Sequence, residues 1–146
     1  MIIGFGCDPN AADLKAALIA HAVALGHEVR DFGSDDPLYP RTAIDVAERV
    51  VAGEVDRGVV LCGTGIGVSI SANKVQGAYC ALVTDAYQAE RAQLSNNANL
   101  IAIGAQITGT ESAKLLLDAY LAHTYMPSER SGPKLDELRL YETGRA

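Results

Sequence analysis

The stretch GVVLCGTGIGVS, residues 58–69, decides the fold. A β-branched apolar run ends at Cys62, and glycines follow at positions 63, 65 and 67. Such a run stopping at a glycine cluster predicts a strand over 58–62 that empties into a tight loop. The apolar pattern after Gly67 predicts a helix over 67–75. Strand, glycine loop and helix in that order form half of a βαβ unit.

The same alternation extends in both directions. Apolar runs predict further strands over 2–5, 28–32, 79–83 and 100–103. Apolar residues at helical spacing predict helices over 11–25, 42–52, 85–94, 111–122 and 134–141. Asn10 is a candidate cap for the first helix, and Asp85 stands at the start of the fourth. Residues 33–40 are rich in turn formers, residues 127–133 form a polar break, and residues 142–146 are expected to fray. Nearly continuous apolar strands separated by helices point to a parallel sheet buried on both faces. The expectation is a single α/β domain over 1–146, an αβα sandwich around a five-stranded parallel sheet. Ligands of such folds bind beyond the carboxyl ends of the strands. That places residues 6–10, 33–40, 62–69, 84–85 and 104–108 under scrutiny.

Composition sets the bounds. The 146 residues suffice for one domain with a sizeable core. With 49% hydrophobic and 21% charged residues the chain is not a disordered one. A net charge of −6 without a basic cluster argues against nucleic acid and anionic membranes as partners. No apolar run reaches the length of a membrane span, and the N-terminal residues MIIGFGCDPN lack the features of a signal peptide, so a cytoplasmic location is expected. Tryptophan is absent and aromatics are scarce, so the core must be aliphatic. Cys7, Cys62 and Cys80 show no metal-ligand spacing and no disulfide framework. No metal site is expected.

The loop 62–69 has the properties of an anion cradle. Glycines let the backbone approach a ligand, and amides at a helix start favour negative charge. Its spacing is neither the dinucleotide fingerprint nor a Walker loop. Cys62, at the strand's last position, is placed to act as base or nucleophile, or is a buried structural thiol. A Cys–His mechanism is disfavoured, because His21, His27 and His123 fall in helices or at helix ends.

Residues 1–8, the phrase CGTGIGVSISANKV with Gly77 after it, and the step Asn96-Asn97-Ala98-Asn99 resemble the ribose-5-phosphate isomerase B / galactose-6-phosphate isomerase family. The resemblance runs in order over nearly the whole chain. It implies a Rossmann-like αβα fold and a metal-free, cofactor-free aldose–ketose isomerase of a phosphorylated sugar. It also implies a homodimer or tetramer with an active site shared between subunits. Carried over residue by residue, Cys62 is the base that moves a proton between carbons 1 and 2. The loop Gly63, Gly65, Ile66, Gly67 and Ser69 is the anion hole, assisted by the Thr64 hydroxyl. Asp8 holds substrate hydroxyls and Tyr39 lines the pocket. Asn96 and Asn99 match the family's Asn-x-Ala-Asn step and bind the substrate, Asn96 from the partner subunit. Arg130 and Lys134 bind the phosphate, the tail over about 127–146 reaching a partner subunit.

Three positions depart from the family pattern. Pro9 and Ser95 stand where its members carry histidines, and Gln106 where they often carry arginine. The histidine at the Ser95 position is the one assigned to furanose ring opening. A substrate that needs no ring opening is therefore expected, such as erythrulose 4-phosphate or erythrose 4-phosphate, whose oxygen 4 is phosphorylated. The alternatives are ribose 5-phosphate, one subunit of a hetero-oligomer like galactose-6-phosphate isomerase, and a non-catalytic sugar-phosphate-binding module. A pure binding module would need the cradle but not the thiol.

Overall fold

Five short strands, each ending in a turn or glycine, have only the sheet in which to satisfy their backbone. They pair all in parallel in the order β2-β1-β3-β5-β4. The computed structural model describes residues 1–144. The strands are β1 (Ile2–Cys7), β2 (Glu28–Asp31), β3 (Arg57–Cys62), β4 (Cys80–Leu82) and β5 (Leu100–Gly104). Around them lie α1 (Ala12–Ala24), α2 (Tyr39–Val51), α3 (Ile66–Ala72), α4 (Ala86–Leu94), α5 (Thr110–Leu121) and α6 (Gly132–Glu142). The single-domain αβα sandwich expected from the sequence is the fold observed.

The pleat sends alternate residues of the central strands to opposite layers. Ile3, Phe5, Val59, Leu61, Ile101 and Ile103 face a core built with Leu14 and Leu18 of α1 and Leu117 and Tyr120 of α5. Val60, Cys62, Leu100 and Ala102 face a second core with Val46 and Val50 of α2 and Val68 of α3. Each fully buried aliphatic side chain contributes roughly 1.5–3 kcal/mol. Alanine and valine dominate the second layer, so the helices there approach the sheet closely.

The structure departs from the sequence reading at the sheet's edges and at several helix ends. The expectation of strands buried on both faces holds for β1, β3 and β5. It fails for β2, where Glu28 and Asp31 are exposed. As an edge strand it has one pairing side open, and charges there discourage further pairing. Asn10 does not cap α1. Asp8 instead accepts the Asn10 amide at 2.7 Å, closing a 3₁₀ turn over Pro9–Ala11 that leads into the helix. Helix α2 begins at Tyr39, with Pro40 in its first turn, rather than at 42. Helix α6 begins at Gly132, with Pro133 in its first turn, so Lys134 is helical from the outset.

Of residues 142–146, which were expected to fray, Arg145 and Ala146 lie outside the described residues. Glu142 itself is anchored: its carboxylate accepts the Gly77 amide at 2.8 Å and the Tyr79 hydroxyl at 3.0 Å. That clamp docks the end of α6 beside the edge strand β4.

Candidate active site

The chain runs from β1 to one side of the sheet and returns to place β3 on the other side of β1. Loops leaving such a reversal point diverge, and the crevice between them is open to a ligand. Asp8 leaves β1 there, and Cys62 ends β3. The Asp8 amide donates to the Leu61 carbonyl at 2.9 Å, which holds the Asp8 turn against the residue before Cys62. Pro9 sets the backbone of that turn, so the residue replacing the family's histidine stiffens the presentation of Asp8.

Cys62 is 5% exposed, and the Gly65 amide donates to its Sγ at 3.1 Å. A donor is thus already turned on the sulfur. Cys7 and Cys80 have no such placement. Burial pushes the Cys7 thiol up to about 11 and the Cys80 thiol up to about 12. Both stay protonated and inert near neutral pH. Cys7 faces the core of α1 and α5 while Cys62 faces that of α2 and α3, so the sheet separates the two sulfurs.

The loop after Cys62 requires its glycines. Gly65 has φ of 78°, and a Cβ there would press on Leu82 and on the Gly104 amide. A Cβ on Gly104 would lie 2.5 Å from the Thr64 carbonyl carbon. A Cβ on Gly67 would collide with the Tyr39 hydroxyl, so the phenol of Tyr39 lies directly over the start of α3. The Ile66 amide is satisfied by the Thr64 hydroxyl at a long 3.4 Å. Amides in a helix's first turn lack carbonyls of the preceding turn to bond, so those of Gly67 and Val68 face this end of the sheet with donor capacity in hand. Asp8, Tyr39 and residues 62–69 therefore come together as expected. Sequence reasoning left Gln106 out of the site. Its amide donates to the Gly63 carbonyl at 2.9 Å, and its carboxamide lies against Gly63.

Asn96, Arg130 and Lys134 do come together, but at the opposite end of the strands. Cys62 pairs with Gly104 and Gly58 with Leu100, so the residues before β5 lie a strand's length from Cys62, about 15 Å. There Asn96, Arg130 and Lys134 line a cavity of about 270 Å³ with Tyr87, Arg91 and Ser95. Tyr87, Arg91 and Ser95 were not singled out for this role. Their signal was the i, i+4, i+8 spacing on α4 and its C-cap, which puts them on one face.

Asn99, expected with Asn96 to bind substrate, uses its side chain within the fold. Its side-chain oxygen instead accepts the Tyr79 amide at 2.8 Å, and its nitrogen donates to the Gly77 carbonyl at 2.9 Å. Both ends of the amide are spent on the backbone leading into β4. His21 pairs with Asp118 at 2.6 Å on the α1/α5 surface, and His123 lies 3.8 Å from Glu90, so these two imidazoles are remote from Cys62 as the sequence indicated. Among the described residues no cluster of His, Cys, Asp or Glu could hold a metal ion, and no helix is long and apolar enough to cross a membrane.

The family model described as Ribose/Galactose Isomerase matches residues 3–138. The chain is 41% identical over 126 residues to the ribose-5-phosphate isomerase B of Escherichia coli, covering 84% of this chain and 85% of that protein. It is 40% identical over 144 residues to the D-erythrulose-4-phosphate isomerase of Pectobacterium atrosepticum, covering 96% and 94%. The structure of Clostridium thermocellum ribose-5-phosphate isomerase B superposes with a TM-score of 0.94 at 35% identity, covering both chains fully.

Asn99→Ala removes two hydrogen bonds from a half-buried turn. The expected outcome is a loss of about 1–3 kcal/mol in urea unfolding, with the KM for substrate unchanged in the folded protein. A raised KM at unchanged stability would return Asn99 to the binding site.

Proposed function

The chain belongs to the ribose/galactose isomerase family and is an aldose–ketose isomerase, and on that premise we propose that Cys62 is its base and a small phosphorylated sugar its substrate. The observation that carries the reading is the amide-rich loop folded around the Cys62 sulfur, with Asp8 and Tyr39 on either side. Taken from the ketose, the Cys62 thiolate removes a proton from carbon 1. The electron pair forms the carbon 1–carbon 2 double bond, and the carbonyl oxygen at carbon 2 becomes the enediolate oxygen. The thiol then returns the proton to carbon 2 as the hydroxyl on carbon 1 passes its proton to the oxygen on carbon 2, which leaves an aldehyde at carbon 1 and a hydroxyl at carbon 2. Charge develops on the oxygens, so donors fixed beforehand stabilise the transition state more than the ground state. The amides of the loop 63–69, with Thr64, supply these donors. Asp8 accepts from substrate hydroxyls, and Tyr39 closes the pocket over Gly67.

The phosphate falls to Arg130 and Lys134, with Asn96 beside them. These lie a strand's length from Cys62 of their own chain, so the reading requires a homodimer or higher oligomer in which the tail of one subunit completes the partner's site. A parallel sheet has all its strands pointing one way, and no movement within one domain brings the two ends of its strands together.

The preferred substrate is the erythrulose 4-phosphate/erythrose 4-phosphate pair. A tetrose phosphorylated on oxygen 4 cannot close a furanose ring, so the imidazole missing at Ser95 has no task to perform. The similarity to the Pectobacterium atrosepticum enzyme supports this choice. The similarity to the Escherichia coli enzyme keeps ribose 5-phosphate as the second reading.

Cys62→Ser should retain the fold, as judged by thermal unfolding, and lose roughly 10²–10⁴-fold in kcat. Near-normal turnover would remove Cys62 from the mechanism. Specificity constants measured side by side should favour erythrulose 4-phosphate over ribose 5-phosphate by roughly 10²-fold, the value of one missing acid–base group. Equal or better use of ribose 5-phosphate decides for the second reading. Mixed after subunit exchange, inactive Cys62→Ala and inactive Arg130→Ala proteins should regain part of the wild-type activity. No recovery despite demonstrated exchange would place the whole site within one chain.

A further inference from the structure

The cavity beside the α4–β5 turn holds a third cation that the reading above leaves unused. Arg91 lines it together with Arg130 and Lys134. In a chain of net charge −6, three cations around one cavity of about 270 Å³ are a local reversal of sign. The Arg91 side chain is held in place from two directions. Its guanidinium carbon lies 5.7 Å from the centre of the Tyr87 ring, one turn earlier on α4. One terminal nitrogen lies 3.1 Å from the Glu90 carboxylate. Its Nε, by contrast, is buried and has no hydrogen-bond partner among the described residues.

A buried donor left unpaired is costly, and native proteins seldom retain one without use. The cavity beside this side chain has a defined chemistry. Glu90 neutralises Arg91 in part, but it does not line the cavity, whereas Arg130 and Lys134 do. Three like charges converging on one space repel one another unless an anion joins them. The remaining polar groups are also suited to oxyanions: Ser128 and Ser131 line the same wall, their hydroxyls 2.8 Å apart and free to reorient. An arginine fixed by ring stacking offers a planar fork, which suits the tetrahedral oxygens of a phosphoryl group better than a single point charge does.

We propose that Arg91 is a third phosphate ligand of this enzyme, binding the substrate's phosphoryl group jointly with Arg130 and Lys134. The proposal rests on the isomerase reading for the identity of the anion's carrier. The grouping of Arg91 with the cavity is independent of it. In the assembled enzyme Arg91 acts on the site completed by the neighbouring subunit's Cys62. Its contribution is therefore to affinity rather than to the proton transfer.

The test measures binding and turnover separately. Inorganic phosphate is titrated into wild type, Arg91→Gln, Arg91→Lys and the surface control Arg139→Gln by isothermal calorimetry, and is assayed as an inhibitor of isomerisation. The expected result is a phosphate Kd weakened about tenfold or more in Arg91→Gln, the scale of one lost charge-assisted hydrogen bond. The KM for the sugar phosphate should rise in parallel, with the change carried mainly by KM. Arg91→Lys should recover part of the loss, Arg139→Gln should bind as wild type does, and phosphate should compete with the substrate. A Kd in folded Arg91→Gln within about twofold of wild type overturns the proposal. So does a weakened Kd with unchanged KM, or non-competitive inhibition, since either makes the cavity a separate anion site. If Arg91→Gln does not fold, Arg91→Lys is judged by the same two constants. If no sugar phosphate is turned over at all, the isomerase reading fails, and the calorimetric comparison still decides whether Arg91 holds phosphate.

Discussion

The close approach of two backbones at the end of the sheet governs the arrangement of everything around it. The turn 63–65 lies directly on the last residue of β5, with no side chain between them. A Cβ on Gly104 would overlap the Thr64 backbone, and one on Gly65 would press on the Gly104 amide. Two hydrogen bonds lock the contact, from the Ala105 amide to the Cys62 carbonyl at 2.8 Å and from the Gln106 amide to the Gly63 carbonyl at 2.9 Å. Because the loop is pinned to β5, it turns back within three residues and brings the Gly65 amide onto the Cys62 sulfur. A side chain at either glycine would lift the loop, and the sulfur would lose its donor.

The second governing constraint is the polarity of the sheet. All five strands run in one direction, so one end of the sheet collects the residues that follow strands and the other end those that precede them. Cys62 ends a strand, and Asp8 and Gln106 follow strands. Asn96 and Asn99 precede β5, and the segment carrying Arg130 and Lys134 returns from α5 to that same end. Arg57, at the start of β3, holds that return in place by donating to the Tyr120 carbonyl at 2.7 Å and to the His123 carbonyl. These bonds satisfy carbonyls at and beyond the end of α5 and set where the tail departs. The thiol and the cationic cavity thus lie at opposite ends of one domain, and the proposed reaction draws them from two subunits.

The two family imidazoles are replaced differently. Pro9 is absorbed into the turn that presents Asp8, where it stiffens the backbone and adds no acid or base. Ser95 caps α4, its amide bonded to the Arg91 carbonyl at 3.0 Å, at the margin of the cationic cavity. The net effect, on the proposed reading, is a centre with a thiol and amides and no imidazole at either of those two positions. On chemical grounds that set of groups suits an open-chain sugar phosphate.

Much of the fold was legible in the sequence, because its signals are local. Apolar runs stopped by glycine mark β1, β3 and β5, helical periodicity marks the long helices, and the glycine spacing after Cys62 marks the loop. Asp8, Tyr39 and Cys62 could be placed together because a parallel sheet exposes its strand ends to ligands. Contacts between segments distant in sequence were decided only by tertiary structure. The order of the strands put β2 and β4 at the edges, and composition does not encode pairing partners. Asn99 shares a short motif with Asn96, yet its amide is taken by the Gly77 and Tyr79 backbone, which only the β5–β4 pairing brings within reach. Gln106 gains its place from the descent of the loop onto β5. Arg91 reads as one more charge on a helix until α4 is seen packed beside the segment that follows α5. A local pattern specifies how a segment folds and which face it buries. Which groups then meet across the fold depends on how the segments pack, and that sets the difference between a side chain spent on structure and one left for chemistry.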